Sequence, residues 1–295
     1  GYAWNVSESG ERTEVMKRRL IQLCAALLYN LNLKGFAEAS IYKGKSKGLC
    51  VPGLNCYSCP GAVGSCPLGT LQYALSAMDR KLPFYILGVL LLFGVTLGRT
   101  ICGFLCPFGL VQELLYKIPV PKVKKNRVTQ VLSKAKYVIL AVFVIILPVV
   151  FKMVSGLPVP AFCKYICPAG TLEGGIPLVL LDESLGGLAG ALFNWKVFVL
   201  AVILASACFV YRSFCRFLCP LGAVYSLFAP AALFGVKIDR DACTDCGRCV
   251  RTCRMDIRQV GDRECIQCGE CMKECSADAI YWKKPWDVKG KKNKD

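Results

Sequence analysis

The 295-residue chain contains no histidine, and it has only 20 acidic residues against 37 lysines and arginines. Without imidazole, the protein cannot bind haem or zinc through histidine, and it cannot use histidine as a general acid or base. The shortage of acidic residues leaves a formal net charge of +17, which favours association with anionic lipid or with an acidic carrier protein. The basic residues are spread over several loops and the C-terminal tail, and this argues against a nucleic-acid partner.

Apolar residues and cysteines are abundant instead. Hydrophobic residues make up 55% of the chain and the mean hydropathy is +0.46, which predicts membrane-spanning segments. Twenty cysteines in such a chain indicate metal ligation rather than a disulfide scaffold, because small disulfide-rich domains do not span membranes.

Four apolar runs are predicted to cross the membrane, at Leu20–Leu33, Leu82–Leu97, Tyr137–Phe151 and Val197–Tyr211. Each run is at or just below the lower limit of about 17 residues for a transmembrane helix. The segment Ile176–Phe193 is apolar but contains acidic residues and glycines, so we expect an interfacial helix there.

Loop charge predicts the orientation of these spans. The loop 117–136 carries seven lysines and arginines, whereas the longer loop 152–196 carries three. Because cytoplasmic loops carry the excess of positive charge, loop 117–136 and both termini are predicted to be cytoplasmic. The sequence thus predicts a multi-pass protein of the cytoplasmic (inner) membrane.

A Cys-Pro-x-Gly motif occurs four times, starting at Cys66, Cys106, Cys167 and Cys219. Proline is favoured at the first position of a helix, so each motif predicts a half-helix that begins just after a cysteine. The helix N-terminus would stabilise the thiolate and an anionic cluster. The last three copies have a second cysteine four positions earlier, at Cys102, Cys163 and Cys215.

The alternation of spans and motifs indicates an internal duplication, with halves at residues 16–125 and 126–236. With four spans, the second and fourth motifs face the cytoplasm and the first and third face outside. Packing the halves face to face would assemble an inner [4Fe-4S] cluster on Cys102, Cys106, Cys215 and Cys219. An outer cluster would use Cys163 and Cys167 with Cys59 and Cys66, or with Cys56 or Cys50 as alternative ligands.

Two simpler explanations of the motifs are buried free cysteines and four-thiolate zinc sites. A chance origin would not repeat the same spacing four times. Cys24 and Cys208 lie within predicted spans, and for them a buried free thiol is the expected state.

Residues 237–282 contain two runs with the spacing C-x2-C-x2-C-x3-C. This is the pattern of two-cluster bacterial ferredoxins, in which the fourth cysteine of each run ligates the other cluster. A proline usually follows that cysteine, and here Arg254 and Ser276 stand in its place. The predicted ligand sets are Cys243, Cys246, Cys249 and Cys275 for one cluster, and Cys253, Cys265, Cys268 and Cys271 for the other.

The predicted fold class is mainly α. An integral membrane four-helix core with half-helices precedes a C-terminal α+β two-cluster ferredoxin domain. Residues 1–15 are expected to be an N-terminal extension, and residues 283–295 a basic tail.

The combination of Cys-x3-Cys-Pro motifs with a two-cluster ferredoxin resembles the membrane polyferredoxins of the NapH/NosR type, over roughly residues 16–282. The resemblance implies quinol oxidation and electron delivery to periplasmic reductases. Two features depart from that family: a flavin-binding extracytoplasmic domain is missing, and the cysteines in Cys50–Cys66 and at Cys163 and Cys167 are additional. These departures favour electron transfer over quinol oxidation.

The expected function is transmembrane electron transfer through four [4Fe-4S] clusters. The electron partners would be an acidic ferredoxin or flavodoxin in the cytoplasm and a redox protein or a quinone at the outer face. Alternatives are a quinol dehydrogenase subunit, a reductant of an outward disulfide or thiol that uses Cys50 and Cys56, and a non-redox metal-stabilised scaffold. No residue is predicted to be catalytic.

Overall fold

The computed structural model describes residues 5–76, 84–123, 125–181 and 190–283, with side chains from residue 17 onwards. This part of the chain is mainly helical and has two short strands, which confirms the predicted fold class at that level. The side chains of the predicted extension 1–15, and the tail after Lys283, lie outside the described residues.

The helices differ greatly in length, from four residues to 29. In chain order, they are α1 (Asn5–Tyr29), α2 (Lys34–Ala37), α3 (Pro67–Ser76), α4 (Phe84–Thr96), α5 (Thr100–Phe104), α6 (Pro107–Leu115), α7 (Arg127–Ser155), α8 (Ala161–Tyr165), α9 (Gly170–Leu181), α10 (Ala191–Phe209), α11 (Ser213–Phe217), α12 (Pro220–Phe228) and α13 (Arg248–Thr252). Short 3-10 helices occur at Lys45–Gly48 and Glu270–Met272.

Two of the described helices, α7 and α10, are long and apolar enough to cross a membrane. Most of their surface faces outward, since only 11% and 17% of their most apolar windows are buried. The four-helix membrane core therefore stays a prediction. Helix α4 has 13 residues, or roughly 20 Å at 1.5 Å per residue, which is shorter than the ~30 Å hydrocarbon core.

Helix α1 ends at Tyr29, before the predicted end of the first span at Leu33. The Asn30 side chain donates a hydrogen bond to the carbonyl of Ala26 at 2.9 Å. Asparagine side chains compete with the backbone in this way and favour helix ends. Helix α7 contains a π-helical segment at Leu140–Ile146, directly before the turn that holds Pro148. Proline lacks the N–H that a regular turn needs, and π-bulges are one way in which helices accommodate such sites.

The Cys-Pro motifs begin half-helices. Helices α3, α6 and α12 start at the proline that follows the cysteine, and Pro168, which follows Cys167, is likewise helical and leads into α9. The short helices α5, α8 and α11 carry the earlier cysteine of each pair. Half-helices of one half pack on longer helices of the other half: α3 on α7, α6 on α10, and α12 on α4. The cysteine-bearing ends consequently meet between the halves.

Strands β1 (Gly235–Ile238) and β2 (Ile280–Lys283) enclose the ferredoxin region. They pair antiparallel, with Gly235 opposite Lys283 and Ile238 opposite Ile280. The pairing closes residues 235–283 into a unit whose start and end are adjacent.

Candidate metal centres

Four buried thiols meet where the two halves join, and we call them the inner site: Cys102, Cys106, Cys215 and Cys219. Cys102 lies in α5 and Cys215 in α11. Cys106 and Cys219 have extended backbones and stand at the N-termini of α6 and α12. The backbone N–H of Gly222 donates to the Cys219 Sγ atom at 3.4 Å, so a free helix N-terminus faces the thiol.

The inner thiols act on each other electrostatically. Burial raises the pKa of Cys219 well above its ordinary value, and the thiols of Cys215, Cys102 and Cys106 raise it further. For Cys106, burial and then Cys215 and Cys102 raise the pKa to about 12. Thiolates at this site therefore need a positive partner, and a metal cluster would provide one.

Two buried arginines cross between the halves at the inner site. Arg99 Nη2 donates to the carbonyl of Cys215 at 3.4 Å, and Arg212 Nη1 donates to the carbonyl of Cys102. Each arginine stands three residues before a cysteine of its own half, so the two contacts are reciprocal. Both side chains are fully buried, and they place two positive charges beside thiols that would carry negative charge.

A cavity of about 810 Å³ is lined by four further cysteines, which we call the outer site: Cys56, Cys66, Cys163 and Cys167. Burial raises the pKa of Cys163 to about 12, with further increases from Cys66 and Cys56. The same neighbours, together with Cys163, raise the pKa of Cys167, for which burial is again the main cause.

The outer site differs from the first ligand set expected from the sequence, because Cys56 takes the place of Cys59. The thiol of Cys59 points to Asn30 and donates to its Oδ1 atom at 3.5 Å. Cys50 lies beside the hydroxyl groups of Ser65 and Thr70. Neither Cys50 nor Cys59 is among the described residues that line the cavity. Of the alternatives considered, the geometry favours Cys56.

The ferredoxin cysteines form two groups. The distal ferredoxin site is a cavity of about 20 Å³ whose lining includes Cys243, Cys246, Cys249 and Cys275. In the proximal ferredoxin site, burial raises the pKa of Cys271, and the thiols of Cys265, Cys268 and Cys253 raise it further. Each group takes one cysteine from the other run, as two-cluster ferredoxins do.

Each of these four groups of thiols is a possible metal centre by its chemistry. Within the described ranges, no three histidine, cysteine or carboxylate side chains are close enough to hold a single metal ion. A zinc ion would need sulfur atoms about 2.3 Å from one point. All-cysteine donor sets are the usual ligands of [4Fe-4S] clusters.

Comparison with known families also indicates iron–sulfur binding. A family of 4Fe-4S binding domains matches residues 82–126, 137–176 and 192–240, and a second 4Fe-4S binding domain matches residues 236–259. No solved structure matches the chain at a significant level.

Three curated proteins are similar to parts of this chain. The uncharacterized protein MJ0750 of Methanocaldococcus jannaschii is 32% identical over 58% of this chain and 64% of its own length. The putative electron transport protein YccM of Escherichia coli is 22% identical over 66% of this chain and 54% of its own. The regulatory protein NosR of Pseudomonas aeruginosa is 31% identical over 54% of this chain and 20% of its own. The chain thus spans less than two thirds of the length of each.

The chain carries 4Fe-4S binding domains and is similar to polyferredoxins of the NapH/NosR type. The matches confirm the predicted iron–sulfur, electron-transport class. In this chain, the sites follow one another through direct contacts.

The proximal ferredoxin site contacts the inner site at two points. Gly103 of α5 packs directly against the carbonyl of Ile266, the residue after Cys265. Arg99 Nη1 donates to the carbonyl of Arg263 and to Glu264, each at 3.0 Å. Arg99 therefore touches both sites, because its other nitrogen reaches Cys215.

The inner and outer sites share one connecting segment. Gly53 packs against the backbone of Cys106, and the next two residues, Leu54 and Asn55, line the outer cavity. The Tyr225 hydroxyl donates to the carbonyl of Pro52 at 2.9 Å, directly before this segment.

Sequence reasoning missed the polar residues around the cysteines. Arginine stands three positions before Cys102 and before Cys215, and glutamine stands six positions after Cys66 and after Cys106. Aligning the motif copies would have revealed both repeats. Glu173 holds the equivalent position after Cys167, and it accepts a hydrogen bond from the Cys56 backbone N–H at 2.8 Å.

Proposed function

We propose that the chain transfers electrons across the cytoplasmic membrane through four [4Fe-4S] clusters. The observation that carries this proposal is the continuous order of the thiol sites: distal ferredoxin, proximal ferredoxin, inner and outer. The steps of this series rest on Cys249 and Cys271 packing against one small core, on Gly103 against Ile266, and on the 53–55 segment.

Each bound cluster would supply one-electron transfer, and the residues of the chain supply the ligands, the surrounding charges and the exclusion of water. The cysteines ligate, the half-helix N-termini face the thiols, and burial excludes water from the inner site. Arg99 and Arg212 offset the negative charge that four thiolates bring to that site. The tight packing of Gly103 keeps the ferredoxin unit next to the inner site.

We place the ferredoxin unit on the cytoplasmic side of a four-span protein. Three cations from segments predicted to be cytoplasmic hold that unit. The bonds are Arg18 to Glu270, Lys125 to the carbonyl of Val250, and Lys136 to Glu264. Reporter fusions after Lys122 and before Gly190 should report opposite sides of the membrane. The same side for both would refute the orientation.

An acidic ferredoxin or flavodoxin would exchange electrons at the distal ferredoxin site. Cys246 is exposed there, and the positive charges of Arg248 and Arg251 act on it. A basic rim around an exposed ligand attracts an acidic carrier.

The size of the outer cavity favours a second candidate, in which a quinone is the outer redox partner. The distal ferredoxin site measures about 20 Å³ and the outer cavity about 810 Å³, although both would hold the same cluster. Pockets of about 300–1,000 Å³ accommodate small organic ligands, and Tyr57, Tyr73 and Leu178 add aromatic and apolar lining. Reduction of the clusters by a quinol would distinguish this candidate from transfer to a protein.

Iron analysis of cysteine variants tests the main proposal. Four clusters predict about sixteen irons per chain. Cys106→Ser and Cys219→Ser should each lose about four irons, and the double variant should lose no more, because the residues act on one site. Cys208→Ser is the matched control, since its thiol hydrogen bonds to the carbonyl of Leu204 away from the sites. Additive losses, or only about eight irons in the parent chain, would contradict the proposal.

A further inference from the structure

Two buried glutamines reach across the duplication to a cysteine of the other half. Gln112 Nε2 donates to the Cys215 Sγ atom at 3.1 Å, and Gln72 Nε2 donates to the Cys163 Sγ atom at 3.3 Å. Both side chains are completely buried. Gln112 therefore belongs to the inner site and Gln72 to the outer site.

Each glutamine amide is held in one orientation by its other contacts. The Oε1 atom of Gln112 accepts the backbone N–H of Phe214 at 3.0 Å, and that of Gln72 accepts the N–H of Phe162 at 2.9 Å. A backbone N–H can only donate, so the atom that faces it must be the oxygen. The NH2 group consequently faces the sulfur in both sites.

The same NH2 groups also donate to their own helices. Gln112 bonds to the carbonyl of Phe108 at 3.3 Å, and Gln72 bonds to that of Leu68 at 3.2 Å. The two side chains thus make three equivalent hydrogen bonds each. Because the same three hydrogen bonds occur at both sites, each glutamine side chain is held in a defined position next to a thiol.

The motif alone does not impose this contact. The equivalent positions in the second half hold Glu173 and Tyr225. Those two side chains bond to the backbone of the 52–56 segment instead, at Cys56 and Pro52. Of these four described side chains at equivalent motif positions, the two glutamines are the ones that bond to a thiol.

We propose that Gln72 and Gln112 are positioning residues that set the reduction potentials of the outer and inner clusters independently. The inference rests on the proposed function. A reduced cluster carries more negative charge, and an N–H donated to its ligand sulfur favours that state and raises the potential. The bond to the backbone before Cys163 or Cys215 also fixes the direction of the thiol.

Redox titration followed by EPR tests the inference on the full chain, purified without oxygen. Gln112→Leu removes both the donor and the acceptor, and Gln112→Met does so with nearly the original length. Gln72→Met is the reciprocal variant, and Gln130→Met changes an exposed glutamine of α7 as the control. The signals are assigned by their loss in Cys219→Ser for the inner cluster and in Cys167→Ser for the outer one.

We expect Gln112→Met to lower the potential of the inner cluster alone, and Gln72→Met that of the outer cluster alone. A tenfold change in the one-electron equilibrium constant corresponds to 59 mV, and we expect at least that change. The control should leave all four potentials unchanged.

Three results would overturn the inference. One is about sixteen irons with unshifted potentials. Another is a shift of the same cluster by both glutamine variants. The third is the loss of four irons from both Gln112→Leu and Gln112→Met, which would show a purely structural role. About eight irons in the parent chain would refute the proposed function itself, so the two failures are distinguishable.

Discussion

Replacing Gly103 by alanine should separate the ferredoxin unit from the inner site. Gly103 lies in α5, one residue after Cys102, and a methyl group added there would overlap the backbone carbonyl of Ile266. A carbonyl belongs to the backbone and cannot rotate away as a side chain can. The ferredoxin unit would have to move by on the order of 1 Å for a carbon–oxygen contact to return to ~3.3 Å.

The size of the effect follows from this overlap. Inserting a methyl group into a packed contact typically costs about 1–3 kcal/mol. This cost corresponds to a roughly 5- to 150-fold decrease in the docked arrangement relative to a displaced one. We therefore expect electron transfer from the proximal ferredoxin site to the inner site to slow, with all sixteen irons retained.

The assay follows the membrane signals after rapid reduction of the ferredoxin signals, by freeze-quench EPR. Gly88→Ala in α4 is the matched control, because a methyl group added there meets no atom within 4 Å. Both changes gain the same helix propensity of roughly 1 kcal/mol, so any difference reports the contact. Wild-type transfer kinetics in Gly103→Ala would refute the docking route.

Three further predictions concern the ligands, a buried charge and the partner. Cys56→Ser should lose about four irons per chain and Cys59→Ser none, as measured by iron analysis; the reverse would restore the first ligand set expected from the sequence. Arg212→Gln should destabilise the protein by about 3–5 kcal/mol, because it leaves Glu113 with less compensation in a buried network. Arg127→Gln, at an exposed position, should change the free energy of unfolding by no more than about 0.5 kcal/mol. Unfolding in detergent measures the stability of both variants, and equal stability would contradict the reasoning. Reduction by an acidic ferredoxin should slow as salt rises, because screening weakens attraction between exposed charges; a rate that does not depend on ionic strength would exclude electrostatic docking.

The half-helices could be predicted from local sequence, because a proline at the first helical turn acts on its own neighbours. Helices α6 and α12 begin where the motif places them. The membrane spans were less predictable, since two of the four expected spans correspond to described helices long and apolar enough to cross a membrane. Apolar runs indicate burial or lipid contact but not the helix end, and a single side-chain bond from Asn30 coincides with the end of α1.

The choice between Cys56 and Cys59 also needed the structure. Both lie in an irregular segment without helical or strand periodicity, so spacing does not tell which thiol faces the cavity. The Cys56 backbone bonds to Glu173, from the other half, whereas the Cys59 thiol bonds to Asn30. A contact between residues more than a hundred positions apart, such as Cys56 and Glu173, cannot be predicted from the sequence around either residue.

The sequence by itself determined the chemistry of this protein. The cysteine runs of the ferredoxin region, the repeated Cys-Pro motifs and the absence of histidine specify all-thiolate iron–sulfur ligation, because ligand spacing along a chain is set by covalent geometry. Only the tertiary structure decided how the sites adjoin. The contacts of Gly103 with Ile266, of the 53–55 segment with both membrane sites, and of each glutamine with a cysteine of the other half join distant residues, and they depend on how the helices pack.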